Sequence, residues 1–414
     1  MSLLRSLPEA WCGLRRGALR GLLCGALASC LPLQGLAFDG DPLRFSLSAS
    51  RMHDSNVFRL PDGYPVAALT GRAQRGDSMT QLGAMLAFDR TLRRQHIAAS
   101  LNVTDTRYAT YRQLDSVGYD LAANWRLEHR SDSSLALSLR KSRVMSGFAD
   151  FRAALKNMVD TEAFDVASTT QVLPRWAVIA NGGHARFRND TEIRRPLDLD
   201  LGYLEAGLRF DWLTGSNWDL VWRASNGRYP NHAAGTGASS GYREQQLLTR
   251  LSWVPTPATR LQGQLGWLGR REDGIQVRDF SGPTARLIVD WRVSDKLTAS
   301  GSLRNELSSY QDLTSSYAVM RGIGLGAVWG VTEKTSVRGS VDWLRRSFGG
   351  DPGLLPASPP GREDLIRAGV ITLAVQPVSW LELSAELRRE SRRSNWAGAD
   401  YDANVLLLKL AFRN

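Results

Sequence analysis

His53-Asp54-Ser55 sets the residue types of a hydrolytic triad side by side, and it is the first constellation in this 414-residue chain to test for chemistry. Triad members meet in space from separated segments rather than as neighbours, so the string is not read as an active site. The remaining histidines, His96, His129, His184 and His232, are scattered over four more segments, and no pair has ligand spacing on a helix. Gly322-Ile323-Gly324-Leu325-Gly326 resembles a phosphate loop as a string only. It lies inside a strand pattern with no helix following, where glycines ease curvature or close packing. No catalytic residue, metal or cofactor is therefore expected. What stands out is the base composition: Lys+Arg number 52 against Asp+Glu 41, net +11, and only five of the bases are Lys. The planar fork of Arg holds carboxylate or phosphate in bidentate geometry, where Lys acts as a point charge. The charge is spread over every segment instead of forming one patch, so nucleic acid is not an expected partner.

The elements that must position these arginines follow from composition and period. At 43% hydrophobic and 22% charged the chain is too apolar for disorder. No segment beyond the N-terminus has eighteen consecutive apolar residues, which excludes a bundle of membrane helices. Cys12, Cys24 and Cys30 all fall in the first thirty residues, which excludes a disulfide scaffold. That stretch reads as a secretory signal, residues 1–37. Arg5, Arg15, Arg16 and Arg20 form its basic region, Gly21 to Leu33 its apolar region, and Gly35-Leu36-Ala37 its cleavage site before Phe38. Leu27-Ala28-Ser29-Cys30 also fits a lipoprotein signal. Removal of 1–37 takes four Arg and one Glu, leaving 48 bases against 40 acids, net +8, and no Cys.

Residues 38–414 alternate with period two over about ten to fourteen residues at a time. Leu135-Ala136-Leu137-Ser138-Leu139-Arg140 carries Leu on one face and Ala, Ser and Arg on the other. Leu297 to Arg304 and Leu381 to Arg388 repeat the pattern. Eighteen such segments are counted, 44–54, 94–108, 176–190, 197–213 and 400–412 among them. The alternation is weakest around 144–172, where Phe151 to Met158 also reads as a short helical turn. Short turns (Leu173-Pro174-Arg175, Pro255-Thr256-Pro257, Pro377-Val378-Ser379) alternate with longer loops near 55–76, 145–157, 230–241, 271–281, 308–316 and 347–362. The expected fold is all-β: one antiparallel up-and-down barrel of about eighteen strands in a Gram-negative outer membrane. Trp125, Trp212, Trp253, Trp291 and Trp329 sit just before short turns, and Trp176, Trp218 and Trp380 open the next strand. These eight are expected at one rim, as an aromatic girdle against outer-membrane lipid.

Turning the apolar parity to lipid places Arg126, Arg140, Arg186, Arg209, Arg223, Arg250, Arg286, Arg304 and Arg338 in the lumen. Asp290, Asp342, Glu382 and Glu386 join them, with Gln262 and Gln264 between. An Arg facing lipid at mid-depth costs roughly 2–4 kcal/mol, so the parity is strongly enforced. Eighteen strands enclose more space than side chains fill, and a water-filled path is expected unless loops plug it. The charged lumen reads either as solvation with cross-strand ion pairs or as rungs of a sliding path for an anionic sugar polymer.

One loop is out of character. Asp54-Ser55-Asn56-Val57-Phe58-Arg59-Leu60-Pro61-Asp62-Gly63 puts Val57, Phe58 and Leu60 where an exposed loop is expected, and they are better accommodated folded inward against the lumen or its mouth. Its Asp54, Asn56, Val57, Phe58, Arg59 and Leu60, ahead of a Trp-rich β-meander, resemble an element of the barrel-porin-2 group. More narrowly the chain is similar to the EpsL proteins associated with exosortase B and exopolysaccharide operons. The resemblance implies an outer-membrane barrel serving extracellular polysaccharide biosynthesis and export. The exopolysaccharide chain and periplasmic export components docked on the short-turn rim would then be its partners. A general diffusion porin and a non-conducting barrel share every other feature. The chain ends Leu410-Ala411-Phe412-Arg413-Asn414, so its terminal aromatic stands two positions back from the end.

Overall fold

The computed structural model describes residues 42–129, 133–151, 153–213, 215–232, 239–274, 276–309, 315, 317–350 and 361–414. The expected signal, 1–37, and the three cysteines lie outside the described residues. Eighteen strands make up nearly all of the rest. The first nine are β1 (Leu43–Asp54), β2 (Asp77–Leu92), β3 (Gln95–Tyr108), β4 (Ser116–His129), β5 (Ser133–Met145), β6 (Met158–Leu173), β7 (Trp176–Asn189), β8 (Leu199–Leu213) and β9 (Ser216–Arg228). The second nine are β10 (Gly241–Thr256), β11 (Thr259–Glu272), β12 (Phe280–Arg292), β13 (Leu297–Ser309), β14 (Tyr317–Gly330), β15 (Thr335–Gly349), β16 (Glu363–Val378), β17 (Leu381–Ser394) and β18 (Tyr401–Arg413). Each pairs antiparallel with its neighbours in sequence, and β1 pairs with β18, from Ser46 opposite Arg413 to Asp54 opposite Val405. The sheet is closed, so no backbone edge is left unpaired towards hydrocarbon.

Closure fixes which side chains meet lipid. Register carries one parity around the ring: Leu86 faces Leu101, which faces Leu121. Farther round, Ile323 faces Trp343 and Ile371 faces Leu387. These residues are exposed on the barrel exterior, as are Leu47, Leu139, Leu208, Leu247, Leu265, Leu325 and Leu408. An exterior of this kind is stable only against acyl chains. The strands run to 16 residues, longer than the 9–11 that cross a bilayer. Their upper ends therefore stand clear of the hydrocarbon, and charge is tolerated there on either face.

The eight tryptophans of the expected girdle fall at the end of the barrel that carries the short turns, the start of β1 and the end of β18. There Trp291, Trp329 and Trp380 are about half exposed, and Trp380 stacks on Phe412 with ring centres 5.9 Å apart. Register shifts at Gln171/Leu173, Asp211/Leu213, Trp253/Thr256 and Val375/Val378 tighten four turns at this same rim. The opposite end carries the long loops. Among the described residues they hold one short helix, α1 (Val66–Thr70), closed by Gly71 at φ +70°, and three 3₁₀ segments, two of three residues and one of six. Among the described residues, Phe151 to Met158 contains no helical turn; Met158 already belongs to β6.

Parity can be tested directly. Leu325→Arg, on the lipid face, is expected to cost about 2–4 kcal/mol in urea titrations of the vesicle-embedded barrel, and Ser100→Arg, on the inner face, under about 1 kcal/mol. Equal costs would contradict the facing described here.

Candidate functional site

Arg126, Arg140, Arg209, Arg223, Arg250, Arg286, Arg304 and Arg338 alternate with the lipid-facing residues of their strands and line the inner wall. Asp290, Asp342, Glu382 and Glu386 do the same. Arg186 does not. It pairs with Glu162 on β6 and Asp200 on β8, shares the face of Val178 and Phe164, and is exposed on the exterior. The rule that an outward Arg is prohibited holds only at hydrocarbon depth, and Arg186 sits on the overhanging upper part of β7.

Most inner arginines are already spoken for. Glu205 accepts hydrogen bonds from Arg223, from Arg250 Nη2 at 2.7 Å and from Asn181 Nδ2 at 2.9 Å. Arg209 holds Asp219 in a two-bond fork at 2.8 and 2.9 Å. Arg140 pairs with Asp120, and Arg286 with Glu306. Glu382 accepts from Arg413 at 3.1 Å and Glu386 from Arg388 at 3.3 Å. Much of the wall is thus cross-strand ion pairs, each contributing roughly 0.2–1 kcal/mol, rather than a ladder of uncommitted guanidinium groups.

One stretch of wall is different. Between β12 and β15 a recess of about 290 Å³ is lined by Arg286, Asp290, Ser300, Ser302, Arg304, Ser340 and Asp342. Its floor is Gly324 and Gly326, whose missing side chains face inward. A Cβ at Gly324 would lie 2.8 Å from Asp342 Oδ1 and 2.7 Å from Ser302 Oγ, and one at Gly326 would lie 2.8 Å from Ser300 Oγ. Glycine inside a strand costs about 0.5–1 kcal/mol, and here the expense leaves room for a ring-sized solute beside carboxylates, hydroxyls and guanidinium groups.

The outer mouth is built by the unusual loop. His53 and Asp54 point to opposite faces: His53 Nδ1 meets Ser78 Oγ at 3.0 Å outside, and Asp54 turns inward. Asp54 accepts from the Asn56 backbone N–H at 2.8 Å and from Arg59 Nη1 at 2.8 Å. The Asn56 side chain donates to Leu60 O at 2.8 Å and Asp402 O at 2.9 Å, and accepts from Leu60 N–H at 2.9 Å. These bonds fold the chain back on itself and hold Arg59 at φ +53°, a left-handed conformation rare for a long side chain. Burial alone would make Arg59 easier to deprotonate, but Asp54 and Glu390 outweigh it and hold its pKa above the usual value.

This turn drives Phe58 into a fully buried position, 4.8 Å from Tyr111 and 4.8 Å from Phe148, with Val57, Leu60, Val66, Met79, Tyr108 and Leu114 around it. Three outer loops therefore share one apolar core. The loop that carries Phe148 goes on to cross the mouth. Asp150 accepts from Arg346 Nη2 at 2.7 Å and Nη1 at 3.0 Å, and from Arg392 Nη1 at 3.1 Å. β15 lies nine places from β6 in a ring of eighteen, so Asp150 is anchored on nearly the opposite wall. Phe148, Asp150, Arg346 and Arg392 were not singled out from the sequence. Phe148-Ala149-Asp150-Phe151 carries the same signal as Val57-Phe58, aromatic rings in an outer loop.

Solved structures place the architecture. OccK2 (OpdF) of Pseudomonas aeruginosa matches with a TM-score of 0.50 and 13% identity over 92% of this chain and 99% of that one. The same protein crystallised in complex with glucuronate gives 0.51 and 13%, over 92% and 100%. The outer-membrane protein opdK of that organism gives 0.50 and 12%, over 90% and 99%. At such identity the likeness is one of fold. No protein-family model matches the chain, and no curated protein matches it in sequence.

The chain is an integral β-barrel of the Gram-negative outer membrane.

In that setting the Asp150 clamp faces the external medium, so its response to acid matters. Burial would raise the Asp150 carboxyl, but Arg346, then Arg392 and Arg362, outweigh burial and hold it well below the usual carboxylate range. A depressed carboxyl contributes fully above its ordinary value and is lost only as pH falls through the lower, folded one. The conductance difference between the wild type and Asp150→Asn at fixed salt is therefore expected to stay constant from about pH 8 to about pH 4. A difference that vanishes from about pH 5 downward would mean that Asp150 is not held by its arginines.

Proposed function

We propose that this barrel is a passive, selective channel for small hydroxylated anions the size of a sugar acid. The observation that carries the reading is the loop anchored across the mouth by Asp150: it suits single solutes better than a polymer. Below it, the recess floored by Gly324 and Gly326 offers Ser300, Ser302, Ser340, Asp290 and Asp342 to hydroxyl groups, and the positive charge of Arg304 and of Arg286, which Glu306 already holds, lies beside them for a carboxylate. Contacts of this mixed kind are weak and exchangeable, as transport requires. The glucuronate complex of OccK2 (OpdF) supports the same solute class. Residues 1–37 would act as the export signal that delivers the barrel.

Exopolysaccharide export is the second reading. It rests on the Asp54–Leu60 element, whose residues serve here to fold three loops together. A polymer would need those loops withdrawn and a periplasmic component at the tryptophan rim.

Proteoliposome swelling separates the two. Glucuronate is expected to enter and an anionic polysaccharide to be excluded, and Gly326→Val, which fills the recess, is expected to slow glucuronate roughly fivefold, equivalent to about 1 kcal/mol, while small-ion conductance persists. Entry of the polymer, or glucuronate uptake unchanged by Gly326→Val, would overturn the proposal.

A further inference from the structure

The exterior just above the apolar band is charged, and many of its cations are matched. Arg107 lies 2.9 Å from Asp105, Lys141 2.8 Å from Glu162, Arg143 2.7 Å from Asp160 and Arg393 2.7 Å from Asp402. Arg243 and Arg271, exposed and opposite each other on β10 and β11, have no carboxylate partner among the described residues, and β14 to β17 carry a larger group of this kind. Arg321, Arg345, Arg367 and Arg389 occupy four consecutive strands, each exposed and on the face of Ile323, Trp343, Ile371 and Leu387; Arg345 and Arg389 stand just above the last apolar residue of their strands, while Val319 and Leu365 lie farther out beside Arg321 and Arg367. Arg321 stands directly opposite Arg345, an arrangement of like charges that destabilises a strand pair. Arg367 is opposite Trp343, and Arg389 opposite Gly369, which sets both a diagonal step from the next Arg, about 7–8 Å away. Only Arg345 has a carboxylate partner, Glu363 at 2.6 Å; Arg321 meets the neutral Asn305 at 3.2 Å. Among the described residues Arg367 and Arg389 have no partner.

Four guanidinium groups with one counter-charge are poorly placed unless the surroundings supply anions. At this depth the surroundings are the headgroups of the outer leaflet. We propose that Arg321, Arg345, Arg367 and Arg389 form a binding site for a phosphorylated glycolipid. Its phosphates would sit in the guanidinium forks, where charge-assisted bidentate bonds are strongest, and its acyl chains would lie on the apolar band below, beside Trp343. The site is on the lipid face and independent of the solute path.

The test uses the intact barrel in phosphatidylcholine vesicles, with and without diphosphoryl lipid A, and reads the midpoint of thermal unfolding from heat-modifiable gel mobility. Lipid A is expected to raise the wild-type midpoint. In Arg367→Gln/Arg389→Gln, and more weakly in Arg367→Gln alone, that rise should fall to about half or less. Lys141→Gln, at a matched cation, should keep the full rise. Dephosphorylated lipid A and inorganic phosphate should give none. An equal rise in wild type and double variant, an equal loss in Lys141→Gln, or a full rise with either phosphate control would each overturn the proposal.

Discussion

The constraint on which everything else rests is that hydrocarbon offers no partner to a backbone amide. A chain without long apolar helices can satisfy it only by pairing its last strand with its first. Here β18 meets β1, and the other properties follow in order. A closed sheet has one face for lipid and one for the interior, so alternation becomes compulsory at hydrocarbon depth. Charge is sent inward, where acids and arginines settle on neighbouring strands. Eighteen strands leave a bore that side chains cannot close, and what closes it has to come from the loops.

The loops narrow it, and they do so around a small apolar core of their own at the mouth. Phe58, Tyr111 and Phe148 come from three different connections and are buried together at the mouth. The chemistry is that of a soluble protein: apolar rings out of water, an asparagine satisfying a turn, carboxylates satisfying amides. Asp77, for example, accepts the backbone N–H groups of Thr110 and Tyr111 at 3.0 and 2.9 Å. From that core the Asp150 loop reaches across to Arg346 and Arg392. In the proposed channel a solute would meet a narrowed, polar entrance first and the glycine-floored recess after it. Selectivity in this account arises from size at the mouth and hydrogen-bonding pattern at the wall, with the ion pairs elsewhere keeping the wall rigid.

The strands were legible because period two is a local property. Leu135 to Arg140 announces its two faces within six residues, and the tryptophans mark one rim because each lies beside its own turn. Arg186 was misplaced for a physical reason: alternation reports which side a residue takes, while the rule against outward charge depends on height, which the pattern does not encode. The inward fold of Val57, Phe58 and Leu60 was readable as an anomaly, three apolar side chains in an outer loop. Their partners were not. Asp150 meets Arg346 from 196 residues away and Arg392 from 242, and no periodicity links such positions. The glycines at 322, 324 and 326 were read as relief for a crowded sheet. Their close approaches to Arg304, Ser302, Asp342 and Ser300 fit that reading, but two of them also open the recess. Ion pairing within the lumen was one of two sequence readings, and the wall favours it over a continuous arginine path.

The clamp across the mouth is the claim on which the reading as a small-solute channel turns. Single-channel recording at pH 7 of the wild type beside Asp150→Asn tests it most directly. Loss of one charge leaves Arg346 and Arg392 facing a neutral amide, and the loop should swing free. A larger conductance is expected, by about twofold or more, with frequent transitions between levels. Identical conductance and identical noise in the two proteins would contradict it.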